Sequence, residues 1–497
     1  MEILILMLCL LPTAYILFIA KKFKKSSSNL PPGPRPLPII GNLHLLGAKP
    51  HKSLAKLAQT HGPIMTLKQG QVTAIVISSA PAAKLVLQKH DHLFANRFVP
   101  KAFQTSDIEK FSVAWTSLSP KWRHLRKVPN SLIFSKQKMD ANGDLMHQKV
   151  EELIADARRK CTIGEPMLIG EAAFKSSLNV LSKMILSIDF ADGESETARE
   201  FKKVFRERME LAGTPNLVDF FPLLERFDPQ RIRARIIPNN LKILTMFDRM
   251  IDERLARRAE ESSVFENRDV LDNLLNLMQD SNDDLTRDDI IHLLLDLFVA
   301  GTDTTSSTLE WAMTEVLRNP EILTKAKSEL ERVTNKGKPI QDEEVELLPY
   351  LQAIINETLR LHPPTPLLLP RKNFEPVELN GYTIPKGAQV VVNAWAIGRD
   401  PGAWENPERF EPERFLGLSN VSFVGGNFEL IPFGGGRRIC PGLSLAVKML
   451  QLMLGSLVNC FEWKLEDGQC PEDIDMDEKF GITLSKTHPL KAVPLPI

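Results

Sequence analysis

The chain has 497 residues, 43% of them apolar and 25% charged, an ordinary globular balance with material for an ample core. Lysine plus arginine and aspartate plus glutamate both total 62, so no net field favours nucleic acid, and an electrostatic partner must meet a local patch. Five scattered cysteines without a C-x-x-C pair exclude a disulfide framework and a zinc site and point to a reducing compartment.

Residues 3–20 are almost wholly apolar and are followed at once by Lys21, Lys22, Lys24 and Lys25. The run is long enough to span a bilayer, and the charge after it rather than before it predicts an uncleaved anchor, residues 1–20, with its C-terminal side in the cytosol. Residues 21–50 form a basic and proline-rich hinge, in which Pro31-Pro32-Gly33-Pro34-Arg35-Pro36-Leu37-Pro38 predicts a stiff extended spacer. No low-complexity linker divides the remainder, so residues 51–497 read as one large domain.

A short amphipathic helix from His51 leads to two strands, 64–68 and 73–78, joined as a hairpin by Gln69-Gly70-Gln71. Residues 94–119 lack periodicity and read as loop. Ser119-Pro120 opens a helix in which Trp122 and Arg126, four apart, share a face, a spacing equally suited to a surface cation–aromatic pair. Pro129 leaves the end of that helix in question. Residues 140–260 are mostly helical, with breaks at Gly164, Pro215, Pro222 and Pro229.

Thr286 caps the longest helix, apolar on nearly every side from Ile290 to Val299 and therefore buried. Ala300-Gly301-Thr302-Asp303-Thr304-Thr305 interrupts it with polar, helix-weak residues. Threonines bonding back to the preceding turn would bend or open the helix, and Gly301 would admit a ligand to the backbone. Further on, Glu357 and Arg360 share a helix face, residues 367–369 predict a short strand, and residues 382–384 and 389–393 predict a second hairpin around Pro385-Lys386-Gly387.

The last motif, residues 432–442, places Cys440 in a glycine-rich loop before an apolar helix. At a helix N-terminus its thiolate would be stabilised by unpaired N–H groups, making it a candidate iron ligand. No Gly-Lys-Ser/Thr follows, which excludes a phosphate-binding loop.

Phe433, Gly436, Arg438, Cys440 and Gly442 fall on the F-x-x-G-x-R-x-C-x-G signature, and the chain resembles the cytochrome P-450 superfamily of haem-thiolate monooxygenases over essentially its full length. The resemblance implies a mainly α fold with small β-sheets at one side, behind an N-terminal membrane anchor helix. It places haem b between the helix of Thr304 and the loop of Cys440, with Cys440 as axial iron ligand and Phe433 and Arg438 beside the cofactor. Trp122 and Arg126 match the W-x-x-x-R helix that contacts a haem propionate, and Arg371 the position of another propionate ligand. Asp303 and Thr304 match the A-G-x-D-T-T pair that relays protons during oxygen activation. Glu357 and Arg360 match E-x-x-R, completed by Arg414 as a structural triad. Phe111, Phe298, Ala300, Leu367 and Leu368 are implied to line the substrate pocket, and Phe220, Phe221 and Phe227 to form an apolar roof used for membrane contact.

The implied activity is NADPH- and O2-dependent insertion of one oxygen atom into a hydrophobic small molecule. The chain carries no dinucleotide fingerprint or flavin module, so electrons would come from NADPH-cytochrome P-450 reductase, with cytochrome b5 as an optional donor, through a basic patch of Arg123, Lys127 and Arg437. The expected setting is the endoplasmic reticulum membrane, single-pass, with the catalytic domain in the cytosol. Residues 295–301, 367–372 and 395–400 most resemble plant microsomal members that hydroxylate monoterpenoids and diterpenoids in specialised metabolism. The rival readings are a haem-thiolate isomerase or dehydratase that needs no O2, and a non-enzymatic haem-binding sensor.

Overall fold

A computed structural model describes residues 29–191, 196–260, 269–417, 423 and 426–497; the expected anchor lies outside them. The architecture is mainly helical. Helices α1 (Pro50–His61), α2 (Pro120–Pro129), α3 (Gly143–Ile163), α4 (Ile169–Leu186), α5 (Glu196–Gly213), α6 (Ile232–Glu260), α7 (Arg287–Arg318), α8 (Pro349–Leu361) and α9 (Leu443–Cys460) carry most of it. Beside them stands a five-stranded sheet of β1 (Ile64–Gln69), β2 (Val72–Ile77), β3 (Asn96–Arg97), β4 (Arg371–Lys372) and β5 (Gln389–Val392), in spatial order β1-β2-β5-β4-β3.

Helix α7 is the axis of the fold. Thr286 accepts from the Asp289 N–H and donates to its carboxylate, which also accepts from the Thr286 N–H, so two of the groups left unpaired at a helix start are satisfied. Its apolar residues, from Ile290 to Leu297 and again from Leu309 to Leu317, are buried against α4, α6, α8 and α9. Helix α9 is the one described helix long and apolar enough to cross a membrane, yet 67% of it is buried within the protein, which makes it a core helix.

The expected proline spacer does not stand free. Pro32 accepts from the Thr66 N–H at 2.8 Å, the Asn42 side chain accepts from the Lys68 N–H at 2.7 Å, and the Asn42 Nδ2 donates to Pro34 and Arg35, sewing the strap onto β1. A Cβ at Gly33 would lie 1.9 Å from the Thr66 carbonyl oxygen, so only glycine permits this approach. Upstream, Asn29 bonds to Gly381 and Thr383.

Two other expectations are corrected, and the question left at Pro129 is answered. Residues 382–384 pair with Val377–Leu379 through the two-residue turn Asn380-Gly381, whose φ values of 51° and 80° suit a primed turn, while β5 runs parallel to β2. Residues 367–369 form no strand, because Leu368 turns left-handed at φ 48° between prolines. After Pro129, α2 widens into a π-type turn, Asn130–Phe134.

On α8, the Glu357 carboxylate receives Arg360 Nε and Nη2 at 2.6 and 2.7 Å, Arg414 Nε at 3.0 Å and the Glu411 N–H at 2.8 Å. The two remaining Arg360 Nη1 bonds and one from Nη2 go to the carbonyls of Gly398, Pro407 and Arg409, so this buried charge is fully paired and pins the segment before the cysteine loop to the helical core.

Candidate active site

The cysteine loop is shaped by contacts that glycine alone tolerates. Gly434 and Gly436 have φ of 74° and 66°, and a Cβ at Gly436 would stand 2.0 Å from the Leu87 carbonyl oxygen. Asp91 accepts from the Arg437 N–H at 3.0 Å and pairs with its guanidinium, and the Cys440 N–H closes the loop on the Phe433 carbonyl at 3.0 Å. Phe433 meets Phe423 edge-on, with centroids 5.1 Å apart.

Helix α9 begins only at Leu443, with Gly442 as its cap, so Pro441 and Cys440 lie outside it rather than in its first turn. Burial pushes the Cys440 thiol up, outweighing the Gly442 N–H and the Arg126 charge that pull it down. The expected stabilisation by helix N–H groups is thus limited to the Gly442 N–H and the Arg126 charge, and bonding to a metal ion would deprotonate the thiol outright.

Around the loop four guanidinium groups converge from separate elements. Arg97 on β3 donates to Ala114 and Leu369 at 3.0 and 2.9 Å, Arg126 on α2 to Ile439 at 2.5 Å, Arg371 on β4 to Gly435 at 2.9 Å, and Arg438 to Ala95 and Val113 at 2.8 and 3.0 Å. Arg371 Nη1 is buried with no partner. Among the described residues, none of the four has a carboxylate at ion-pair distance. Burial lowers them all: Arg371 falls to about 10, and Arg438, also repelled by Arg371 and Arg126, to about 9. Three buried guanidinium groups beside the half-buried Arg126, with an unused donor on Arg371, have the chemistry to receive a multiply charged anion, and the two propionates of haem b fit that chemistry. Arg97 was missed in the sequence, where a lone arginine in an aperiodic stretch gives no signal; its place follows from pairing opposite Arg371.

Trp122 plays a different part from the one expected. Its indole N–H donates to the Val113 carbonyl at 3.0 Å and is not free for a propionate. The ring instead lies 4.2 Å from the Arg438 guanidinium and supports it.

Helix α7 remains continuous through its polar stretch. Thr302, Thr304, Thr305 and Thr308 each donate to the carbonyl four residues back, at 2.8, 2.7, 3.4 and 2.9 Å, without opening the helix. Gly301 admits a neighbouring side chain rather than a ligand, since a Cβ there would meet Leu181 of α4 at 2.7 Å. Asp296, Ala300 and Thr304, four apart and thus on one face, keep accessible surface, as do Val299, Gly301 and Asp303 around them, so the buried helix opens along this stretch. Burial raises the Asp303 carboxyl, with the Thr483 hydroxyl opposing, so a proton is retained more readily there than on an exposed aspartate.

The pocket assignments divide. Ala300 lies on this open stretch. Phe298, at 0% exposure, packs among Phe190, Phe201 and Phe247 with centroids 5.5 to 5.8 Å away, and so belongs to the helical core. Phe111 stacks on His292 at 4.9 Å, with the Lys121 ammonium 4.2 Å from its centroid. Leu367 packs on the Leu54 and Met65 cluster, and Leu368 reaches towards Gly434, where a Cβ would stand 3.8 Å from it.

A family model for cytochrome P-450 matches residues 31–491. The chain is 54% identical over 470 residues to geraniol 8-hydroxylase of Catharanthus roseus, covering 95% of this chain and 94% of that protein. It is 54% identical over 475 residues to geraniol 8-hydroxylase of Swertia mussotii, with coverage of 96% and 95%. To drimenol monooxygenase of Persicaria hydropiper it is 48% identical over 498 residues, covering 100% of this chain and 98% of the relative.

Proposed function

The chain belongs to the cytochrome P-450 family, and from that membership we propose that it hydroxylates terpenoids at a haem iron held by Cys440. Membership makes it a haem-thiolate monooxygenase of specialised metabolism that oxidises a hydrophobic small molecule and draws electrons from a redox partner. The observation that carries the site assignment is the juxtaposition of the Cys440 loop with three buried arginines and the half-buried Arg126, none paired with a carboxylate among the described residues. Cys440 would ligate the iron, Arg97, Arg126, Arg371 and Arg438 would hold the propionates, and Trp122 would brace Arg438. Bound there, haem supplies the redox chemistry that activates O2.

The residues of the chain do the rest. Burial raises the Asp303 carboxyl and so favours retention of a proton there, and Thr304 carries a hydroxyl at the next residue; together they would form a relay from the interior of α7. Ala300 leaves room for substrate beside them, and the buried walls of the helical core exclude bulk water. The relatives are named as hydroxylases and monooxygenases, which disfavours the isomerase, dehydratase and sensor readings.

The electron donor in this reading is NADPH-cytochrome P-450 reductase, with cytochrome b5 as an optional second. Arg123 and Lys127 are exposed on α2 and available for docking; Arg437 is engaged by Asp91 and contributes less. Residues 1–20 would anchor the protein in the endoplasmic reticulum membrane with the catalytic domain cytosolic.

The test is a microsomal turnover screen over terpenoid alcohols and abietane-type diterpenes with NADPH and reductase, alongside Cys440→Ala. The expected result is an O2- and NADPH-dependent oxygenated terpenoid, and loss in the variant of the thiolate-type Soret band of the reduced carbon-monoxide complex. No oxygenated product from any terpenoid would refute the substrate class, and a full-amplitude band in the variant would refute the ligand.

A further inference from the structure

Three consecutive residues of the cysteine loop rest on one short segment from a distant part of the chain. Helix Ala80–Lys84 widens into a π-type turn, Leu85–Lys89, closed by the His90 N–H on the Leu85 carbonyl at 2.8 Å. The Leu87 carbonyl lies against Gly436, the buried Asp91 carboxylate meets Arg437, and the Ala95 carbonyl accepts from Arg438 Nε at 2.8 Å. Gly436–Arg438 is itself a single 3-10 turn, and its cap position, Gly435, has no side chain for the N–H groups that such a turn leaves unpaired. Asp91 supplies the missing cap from across the contact. One of its oxygens accepts the Arg437 N–H at 3.0 Å, and the other pairs with the Arg437 guanidinium.

Among the described residues, Asp91 is the one carboxylate bonded to the loop of residues 433–442. Its charge reaches past Arg437, for it also acts on Arg371 and offsets part of the burial that lowers that guanidinium. The cap commits the Arg437 N–H to Asp91, while the Cys440 sulfur takes its backbone hydrogen bond from Gly442. A bond between sulfur and iron responds to both effects: the course of the loop sets where the sulfur stands, and nearby charge sets how readily the iron takes an electron.

We propose that Asp91 is a positioning residue of the metal site, which caps the turn leading to Cys440 and, with Arg437, helps to set the reduction potential of the haem. The inference rests on Cys440 as the iron ligand and adds a residue outside the cysteine motif that holds the ligand in place.

The test uses the haem-loaded protein and reads the Soret band of the reduced carbon-monoxide complex and the reduction potential. In Asp91→Ala the share of haem that has lost its thiolate should rise severalfold over that in the unaltered protein. Asp91→Asn keeps an oxygen for the Arg437 N–H but no charge; it should largely restore the thiolate-type band, while its potential becomes more positive, because removing a negative charge favours the added electron. Arg437→Ala removes the positive member of the pair and leaves its N–H on Asp91, so the potential should move the opposite way with the band intact. Opposite shifts are the signature that a contact serving only to stabilise the fold would not give. An unchanged band and potential in Asp91→Ala would overturn the proposal, and so would shifts of the same sign in Asp91→Asn and Arg437→Ala. Should Asp91→Ala hold too little haem to read, the latter two variants carry the comparison. A thiolate-type band missing from the unaltered protein would overturn Cys440 as the ligand and this inference with it, whereas the other adverse outcomes would overturn this inference alone.

Discussion

Arg126 donates at 2.5 Å to the carbonyl of Ile439, the residue immediately before Cys440. One side chain from α2 thus steadies the loop backbone and lays a positive charge beside the sulfur. Arg126→Ala should lower haem retained per polypeptide after gel filtration severalfold, and Arg126→Lys should recover only part, since a single ammonium cannot serve carbonyl and propionate with a fixed fork. Full haem content in Arg126→Ala would remove this residue from the cofactor site.

Thr304 offers a second separation of structure from chemistry. Its hydroxyl bond to Ala300 is a local back-bond that adds little to a helix. Thr304→Ala should therefore leave haem content and melting temperature nearly unchanged while more of the NADPH consumed appears as hydrogen peroxide or water. Unaltered coupling of NADPH to product would limit Thr304 to a packing role.

Removing the carboxylate at Glu357 strands Arg360 and Arg414, both largely shielded from water. Breaking one partner out of a buried ion pair costs about 3–5 kcal/mol, and Glu357→Ala should lose that much in denaturant unfolding and shed haem on the way. A change below about 1 kcal/mol would mean that the arginines find other partners.

A pH signature comes from Glu478. Burial alone would raise its carboxyl, but hydrogen bonds from His51 at 3.1 Å and Lys52 at 2.6 Å hold it well below the usual carboxylate range. Because the folded pKa is depressed, the stabilisation is complete above the unfolded value near 4.5 and is lost as pH falls through the folded value. The stability gap between the unaltered protein and Glu478→Gln should be widest at neutral pH and narrow below about pH 4.5. A gap of constant size from pH 7 to pH 3 would contradict the ion pair.

Charge reversal at Arg123 and Lys127 should slow haem reduction by reductase at low salt, and the deficit should shrink as salt rises, since screening at 0.1 M acts beyond about 10 Å. Rates matching the unaltered protein at every salt concentration would move the docking face elsewhere.

What could be read in the sequence was what is local. Thr286 and Asp289, Glu357 and Arg360, and the threonine back-bonds all join residues three or four apart, where helical spacing dictates the neighbour. What escaped depends on distant partners: Arg97 is fixed by Arg371, the Trp122 N–H is claimed by Val113, and Phe298 faces three phenylalanines from other segments. Asn380-Gly381 is itself a strong local hairpin signal, and it makes the turn in preference to the nearby Pro385-Lys386-Gly387.

The strap of residues 29–42 has a mechanical consequence. With Asn29 fastened to Gly381 and Thr383, and Pro32 to β1, the proposed anchor at residues 1–20 would leave only residues 21–28 before the first fastened residue, at most about 28 Å of chain. On so short a mooring the body would not swing freely, and the flank bearing Asn29 would be held towards the bilayer from which an apolar substrate would arrive.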